Sequence, residues 1–388
     1  NGTVRANFQL QPSTAQLQEV TVSAYRPETD EVDAGAASGI EAQNIESVNP
    51  ASAEGALQGR AAGVRVQSTS GQPGAGFSVN VRGAASVNAG TDPLYIVDGV
   101  QINKEDNASF SNANPLSSLN PSDIESIRVL KDASAAAIYG AQAANGVVVI
   151  ETKSGQAGET QVNFSTRLGS VSEINRFNVM NSEQYIDYMG EATNNVLQAR
   201  FGATLEELTG GQFTARGFNN QVFGPDSIDT DWPAAVFRTG FTQTYNASIS
   251  GGDETTQFRV SGRFTQEEAQ AISSDYRQGQ LRAKVNNETT EFLSLTGNVN
   301  VSTNKFQGVS EAQVNVNSPF FTAFAQRPTR SIYNEPGNPD SGFNLFDATF
   351  PNQVAQQNFN TRESNSNSVS ASVEANWDLP GNFSARSF

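Results

Sequence analysis

The 388-residue sequence contains no cysteine and no histidine, and only two methionines and two tryptophans. Without cysteine there is no disulfide framework and no thiolate nucleophile, and the redox compartment leaves no mark. Without histidine there is no imidazole to ligate a metal or shuttle a proton near neutral pH. No stretch of roughly twenty apolar residues occurs, which excludes a transmembrane helix; a membrane-spanning strand needs only about 9–11 residues and escapes that test. Basic residues are also few: 24 Lys and Arg stand against 40 Asp and Glu, a formal net charge of −16. Nucleic acid and anionic lipid surfaces are poor partners for a chain so charged. The Asn1-Gly2-Thr3 start lacks a basic and apolar leader, so any signal peptide is expected to have been removed or omitted.

Hydrophobic residues make up 37% of the chain, and Ser, Thr, Asn, Gln and Gly fill much of the rest. Such a mixture suits disorder, a secreted β protein or a barrel with a wet inner wall. Periodicity decides against disorder and divides the chain in two. Up to about residue 155 the pattern is α/β. Asn49-Pro50 reads as a helix start leading into ASAEGALQGR. Short strands are expected at Val64–Gln67, Ser78–Arg82 and within PLYIVDGV, Pro93–Val100. Asn120-Pro121-Ser122-Asp123 repeats the cap-and-proline opening. Asp132 then caps a helix over Ala133–Tyr139 that stops at Gly140, and Val147–Ile150 has the β-branched run of a buried strand. A mixed sheet with a few short helices is expected.

Beyond Gln156 the period becomes two. Val162, Phe164 and Leu168 alternate with Gln161, Asn163, Ser165 and Arg167. Similar alternation marks the segments around 241–250, 258–264, 281–286, 293–301 and 369–377, with a seventh strand near Phe383. GGDE at 251–254, NNET at 286–289 and LPGN at 379–382 read as tight turns. Longer segments, 170–240, the stretch around 267–275 and 305–364, lie between them. Strict alternation of short and long connections is characteristic of transmembrane barrels. A six-strand sheet facing lipid would leave unpaired edges in hydrocarbon, so the chain is expected to be the first part of a longer polypeptide. A secreted or surface-attached β-rich binding or adhesion protein without a channel is the alternative.

LNPSDIESIRVLKDASAAAIYGAQAANGVVVIETKSG, together with DPLYIVDGV at 92–100 and LQGRAAGVRV at 57–66, closely resembles the plug of TonB-dependent outer-membrane transporters of the SusC/RagA type. Residues 229–252, DTDWPAAVFRTGFTQTYNASISGG, resemble the approach to an early barrel strand in the same family. The resemblance implies a membrane β-barrel of about 22 antiparallel strands when complete, with a small α/β plug inside, of which the first six or seven strands are present. It divides the chain into the end of an N-terminal extension (1–16), a TonB-box segment and linker (17–40), the plug (41–155) and the first part of the barrel with long extracellular loops (156–388). It further implies import of a bulky oligosaccharide or peptide across the bacterial outer membrane. The implied partners are TonB with its energising complex, a SusD-like surface lipoprotein and outer-membrane lipid, and the SusC–SusD pair often forms a homodimer.

Glu19, Val20, Thr21, Val22 and Ser23, ahead of the polar linker RPETDEVDAGAASG, resemble a TonB box. Such a segment binds by strand addition, main-chain hydrogen bonds joining an open sheet edge. No catalytic residue, metal ligand or cofactor is implied. GQPGAGFS (Gly71–Ser78) lacks the Lys-Ser/Thr ending of a phosphate loop and reads as a plug loop. Asp229 and Asp231 alone are too few oxygens for a metal clamp. Glu267-Glu268 reads as a solvated turn, and Asp92 and Asp98, flanking a plug strand, as capping or pairing groups. Arg259, Arg263, Arg282 and Lys284 share the inward parity of neighbouring strands and are expected to pair with plug carboxylates. Phe241, Tyr245, Phe258, Phe264 and Trp377 share the outward parity and are expected at the lipid face.

Overall fold

The computed structural model describes residues 37–48, 50, 52–83, 91–102, 116–131, 137–172, 177–225, 227–308, 318–345, 350–359, 362–379 and 383–387. Seven strands form the α/β body: β1 (Ala37–Glu41), β2 (Val64–Ser68), β3 (Phe77–Val81), β4 (Leu94–Val97), β5 (Val100–Ile102), β6 (Ile124–Leu130) and β7 (Val147–Thr152). Five of them make one mixed sheet in the order β1-β6-β7-β4-β5, with β4 and β7 parallel and the other neighbours antiparallel. β2 and β3 form a separate hairpin. β7 is central, and Val147, Val148 and Ile150 are fully buried, as a β-branched run with both faces covered requires. Around it gather Ile40, Ile45, Leu57, Val79, Tyr95, Leu116, Ile124, Ile127 and Val129. Burial raises the Tyr95 hydroxyl pKa far above the ordinary tyrosine range, and the Glu54 and Asp92 carboxylates push it the same way.

The α-helix of this region, Ala42–Val48, precedes Asn49-Pro50 rather than succeeding it. That dipeptide leads instead into a single 3₁₀ turn, Glu54–Leu57, whose Ala56 and Leu57 pack into the core beside Ala53. Two glycines in the next residues, Gly59 and Gly63, adopt positive φ and stop a longer helix. Gly140 does interrupt helix, at φ 69°, between two short 3₁₀ segments within Ala137–Asn145; Asp132 lies outside the described residues. The Ser78–Arg82 strand is shifted by one residue, because Arg82 takes positive φ and ends it.

The second half is a seven-stranded antiparallel sheet: β8 (Gly158–Val171), β9 (Gly240–Gly252), β10 (Thr256–Glu268), β11 (Asp275–Thr290) and β12 (Leu293–Gly308), then, after a small hairpin of β13 (Tyr333–Glu335) and β14 (Asn338–Phe343), β15 (Arg362–Leu379) and β16 (Phe383–Ser387). Each strand pairs with its sequence neighbours in the sheet, without crossover. The reversals after β9 and β11, at 253–255 and 291–292, and the passage from β15 to β16 lie at one end of the sheet, and the strand ends joined by the longer connections at the other; residues 380–382 of the expected LPGN turn lie outside the described residues. NNET is therefore not a turn: Asn286 to Thr289 continue β11, and the reversal falls at Glu291-Phe292. At 253–255 Asp253 makes the turn by accepting from the Thr255 and Thr256 amides at 2.9 and 2.7 Å, which lower its pKa.

The long connections are ordered by packing among themselves. Trp232, Val236 and Phe237 of the first, Ala271 of the second, and Ala323 and Val354 of the third share one apolar cluster. Trp232 also donates from Nε1 to the Arg327 carbonyl at 3.0 Å. Replacing Trp232 with Ala should cost this cluster about 3–5 kcal/mol. Limited proteolysis within 172–239 and 309–361 should accelerate while the strands stay protected.

The α/β body and the seven-stranded sheet, which forms a wall beside it, meet closely at two glycines. At Gly155, between β7 and β8, an added Cβ would lie 2.4 Å from the Phe258 amide nitrogen, so chain passes against chain there. Gly74 sits at the tip of the β2–β3 hairpin with φ 70°, and a Cβ there would lie 2.5 Å from the Tyr276 ring. Gly74→Val should lift this loop off the wall, the backbone strain alone being about 1–3 kcal/mol. Faster amide exchange over residues 69–76 would register it.

Candidate functional site: the plug–wall interface

Alternation gives the seven-stranded sheet two chemically opposed faces. On one, Val162, Phe164, Val369 and Val373 are each about two-thirds or more exposed, at 73, 69, 72 and 66%. Leu281, Val285, Val299 and Val301 continue the same surface across the central strands. Phe241 and Tyr245 lie toward the long-connection end, and Phe292 and Trp377 toward the short-turn end, all exposed. A contiguous apolar face with aromatic residues near both ends is the surface hydrocarbon requires. Among the described residues no helix is long and apolar enough to cross a membrane.

The opposite face is polar, and the α/β body sits on it. Asp123, at the end of the Pro121–Asp123 turn, is almost fully buried. It accepts from Arg259 Nη2 at 3.1 Å and from Ser261 Oγ at 2.5 Å. Its position is set locally, since the Asn120 side chain caps the turn by accepting from the Ser122 amide at 3.1 Å. Arg263 reaches the same Asn120 oxygen at 3.4 Å. Just upstream, the Ser117 carbonyl accepts from Gln278 and Gln280, at 2.7 and 2.5 Å, and the Ser118 carbonyl from Asn300 at 3.0 Å. Residues 117–123 thus run as a seam along β10, β11 and β12.

A second node gathers on Asp98. The Asp98-Gly99 pair makes the two-residue turn between β4 and β5 with both residues at positive φ, 46° and 82°, the conformation such hairpins demand. The Asp98 carboxylate accepts from the Thr152 amide at 3.0 Å and its hydroxyl at 2.6 Å. From the wall, Arg282 bonds it directly, Lys284 stands 3.6 Å away and Asn298 donates at 3.4 Å. Arg282 also donates to Thr152 Oγ1 at 2.8 Å, and Lys284 to the Thr152 carbonyl at 3.2 Å. Asp98→Ala would leave two nearly buried cations without their carboxylate, a loss of about 3–5 kcal/mol in docking. Amide exchange at Thr152 should rise accordingly, and less in Asp98→Asn, which retains an acceptor.

The expected pairing of wall cations with plug carboxylates is therefore present for Arg259, Arg282 and Lys284. Sequence reading missed Thr152, at the end of β7, and Gln278, Gln280, Asn298 and Asn300 on the wall; for those four, inward parity next to the basic residues was the available signal. Glu267 is a correction. It is no solvated turn residue but faces inward near the end of β10, accepting from the Gly74 amide at the tip of the plug hairpin. Asp229 and Asp231 have structural roles, Asp229 accepting from the Ser182 amide and Asp231 capping Trp232–Val236. Among the described residues no group of three or more acidic side chains is placed to hold a metal. Glu19, Val20, Thr21, Val22 and Ser23 lie outside the described residues.

An α/β body fastened by ion pairs to the wet face of an antiparallel sheet, whose other face is bare and apolar, defines a plugged membrane barrel protein. Comparison with known proteins narrows the class. Residues 31–147 match the TonB-dependent Receptor Plug Domain. TonB-dependent receptor SusC of Bacteroides thetaiotaomicron is 31% identical over 329 residues, 84% of this chain and 30% of that protein. TonB-dependent receptor P26 of Formosa agariphila is 30% identical over 356 residues, 89% of this chain and 32% of that protein. The solved RagAB peptide transporter shares the fold with a TM-score of 0.69 at 23% identity, across 89% of this chain and 40% of that one. The chain belongs to the SusC/RagA-type TonB-dependent transporters, proteins of the bacterial outer membrane. It spans about a third of the length of the curated relatives it matches.

Proposed function

We propose that the whole protein imports a bulky nutrient across the outer membrane, driven by TonB and capped by a SusD-like lipoprotein. The observation that carries this reading is the pairing of Asp98 and Asp123 with cations of the wall's polar face. A plug held by contacts that can be broken and remade closes a pore at rest and opens it on demand, by local rather than global unfolding. A channel-free adhesin has no use for a second domain seated on its polar face. The cargo is an oligosaccharide or a peptide, the family's two classes, and 17–40 is the tether on which TonB pulls. The domain limits are 1–16, 17–40, 41–155 and 156–388, and the wall extends to a closed cylinder of about 22 strands. The SusC–SusD unit pairs as a homodimer. Cells carrying the full-length protein should deplete a nutrient mixture, and an otherwise identical strain lacking TonB should not. Equal depletion by both strains would refute active import.

A further inference from the structure

The polar face carries a pattern that plug-fastening alone does not explain. Reading across the sheet by strand register, four consecutive inward rows run from β8 to β15. The first is Arg167, Thr244, Thr265, Gln278, Asn304 and Ser366; the last is Gln161, Ser250, Arg259, Lys284, Asn298 and Ser372. Between them lie the rows of Arg263 and of Arg282. The 24 positions hold five basic residues, nineteen Ser, Thr, Asn or Gln, and neither an acidic nor an apolar side chain. Carboxylates return only outside the belt, at Glu267 in the row above and Glu374 in the row below. In a chain of net charge −16 this is a local inversion of sign.

The counter-charges seen for Arg259, Arg282 and Lys284 all belong to the plug, at Asp123 and Asp98. A plug movement that parts this interface takes those carboxylates away. Arg282 is only 7% exposed, and its Nε already lacks a hydrogen-bond acceptor. A buried guanidinium stripped of its partner is strongly unfavourable, so an arriving anion gains what the departing aspartate gave up. Inward residues recur about every 7 Å along a strand, and neighbouring strands lie about 4.8 Å apart. Carboxylates on alternate residues of an extended oligomer match that lattice, and the surrounding hydroxyls and amides suit a hydrophilic backbone.

We propose that this belt is an anion-accepting surface of the translocation path and that the cargo is a hydrophilic oligomer bearing carboxylates. The inference rests on the import reading above and goes beyond it in naming the cargo's charge. The carboxylate is the shared chemistry of acidic peptides and uronate-containing oligosaccharides, and the test separates the two. Cells with the full-length transporter are offered a protein hydrolysate and a partial hydrolysate of a uronate-containing polysaccharide. TonB-dependent depletion of each component is followed by mass spectrometry and sorted by charge. Depletion concentrated in the anionic components of one hydrolysate supports the proposal and identifies the source. In Arg263→Gln and Arg167→Gln the preference for anionic over neutral components should then fall about tenfold, the change expected from one lost charge contact. Depletion that ignores charge, or favours neutral or basic components, overturns the proposal while leaving import standing. Absence of any TonB-dependent depletion overturns import and this inference together.

Discussion

Deleting Glu19–Ser23 should reduce uptake to the level of a TonB-deficient strain without unfolding the protein. A TonB-box segment contributes main-chain hydrogen bonds to a partner's sheet edge, so removing five residues removes the coupling entirely rather than weakening one contact. Among the described residues the plug core, the cluster around Ile127, Val148 and Ile150, is built from residues 40–150. The deleted protein should therefore reach the outer membrane in normal amount and show an unchanged melting transition. Substituting single side chains should have far smaller effects, because the backbone carries strand addition; Val22→Pro, which removes an amide donor, is the exception. Full uptake by the deletion variant would show that energy enters elsewhere.

The second large effect concerns movement of the plug. These 388 residues contain no cysteine, so a pair introduced as Asp123→Cys and Ser261→Cys meets no competing thiol within them. These side chains touch across the interface in the native protein, with Ser261 Oγ donating to Asp123 at 2.5 Å. Joining them through a short reducible bis-thiosulfonate reagent should stop uptake almost completely, leave cargo binding at the cell surface intact, and be reversed by reduction. The Asp123→Cys single variant, treated identically, controls for the lost ion pair with Arg259, and Ser261→Cys for the lost hydroxyl. Undiminished uptake in the cross-linked protein would mean that cargo passes without separation of plug and wall at this seam.

Much of this architecture was legible because membrane strands obey a simple rule. Residues that alternate between Val, Leu or Phe and Ser, Asn or Arg report both the strand and which face meets water. The basic residues on the wet parity, Arg259, Arg282 and Lys284, stood out as groups needing partners, and Asp98 was readable as a pairing carboxylate. Asp123 was hidden inside a cap-and-proline motif that accounts for its sequence without reference to the wall. The Trp232 cluster was illegible for a different reason. It joins residues about 120 apart drawn from three irregular connections, and such packing leaves no period in any one of them. Glu267 was misread because a pair of acidic residues beside polar neighbours looks like a solvated turn unless strand length is known. Asn286–Thr289 failed in the same way, its turn-forming composition being overridden by pairing with β12.

The crossing at Gly155 sets a limit on how the gate can work. Thr152 ends the central plug strand and Gly158 begins the first wall strand. Six residue steps span at most about 20 Å even when pulled straight. The plug is thus leashed at its carboxyl end, and its last strand cannot travel far while β8 stays paired. If the plug moves as proposed, that reach still lets Asp98 and Asp123 part from their wall partners, but the widest opening falls at the other end, with the edge strand β1 and the elements next to it in the chain, so that the doorway swings on residues 153–157 instead of falling out of its frame.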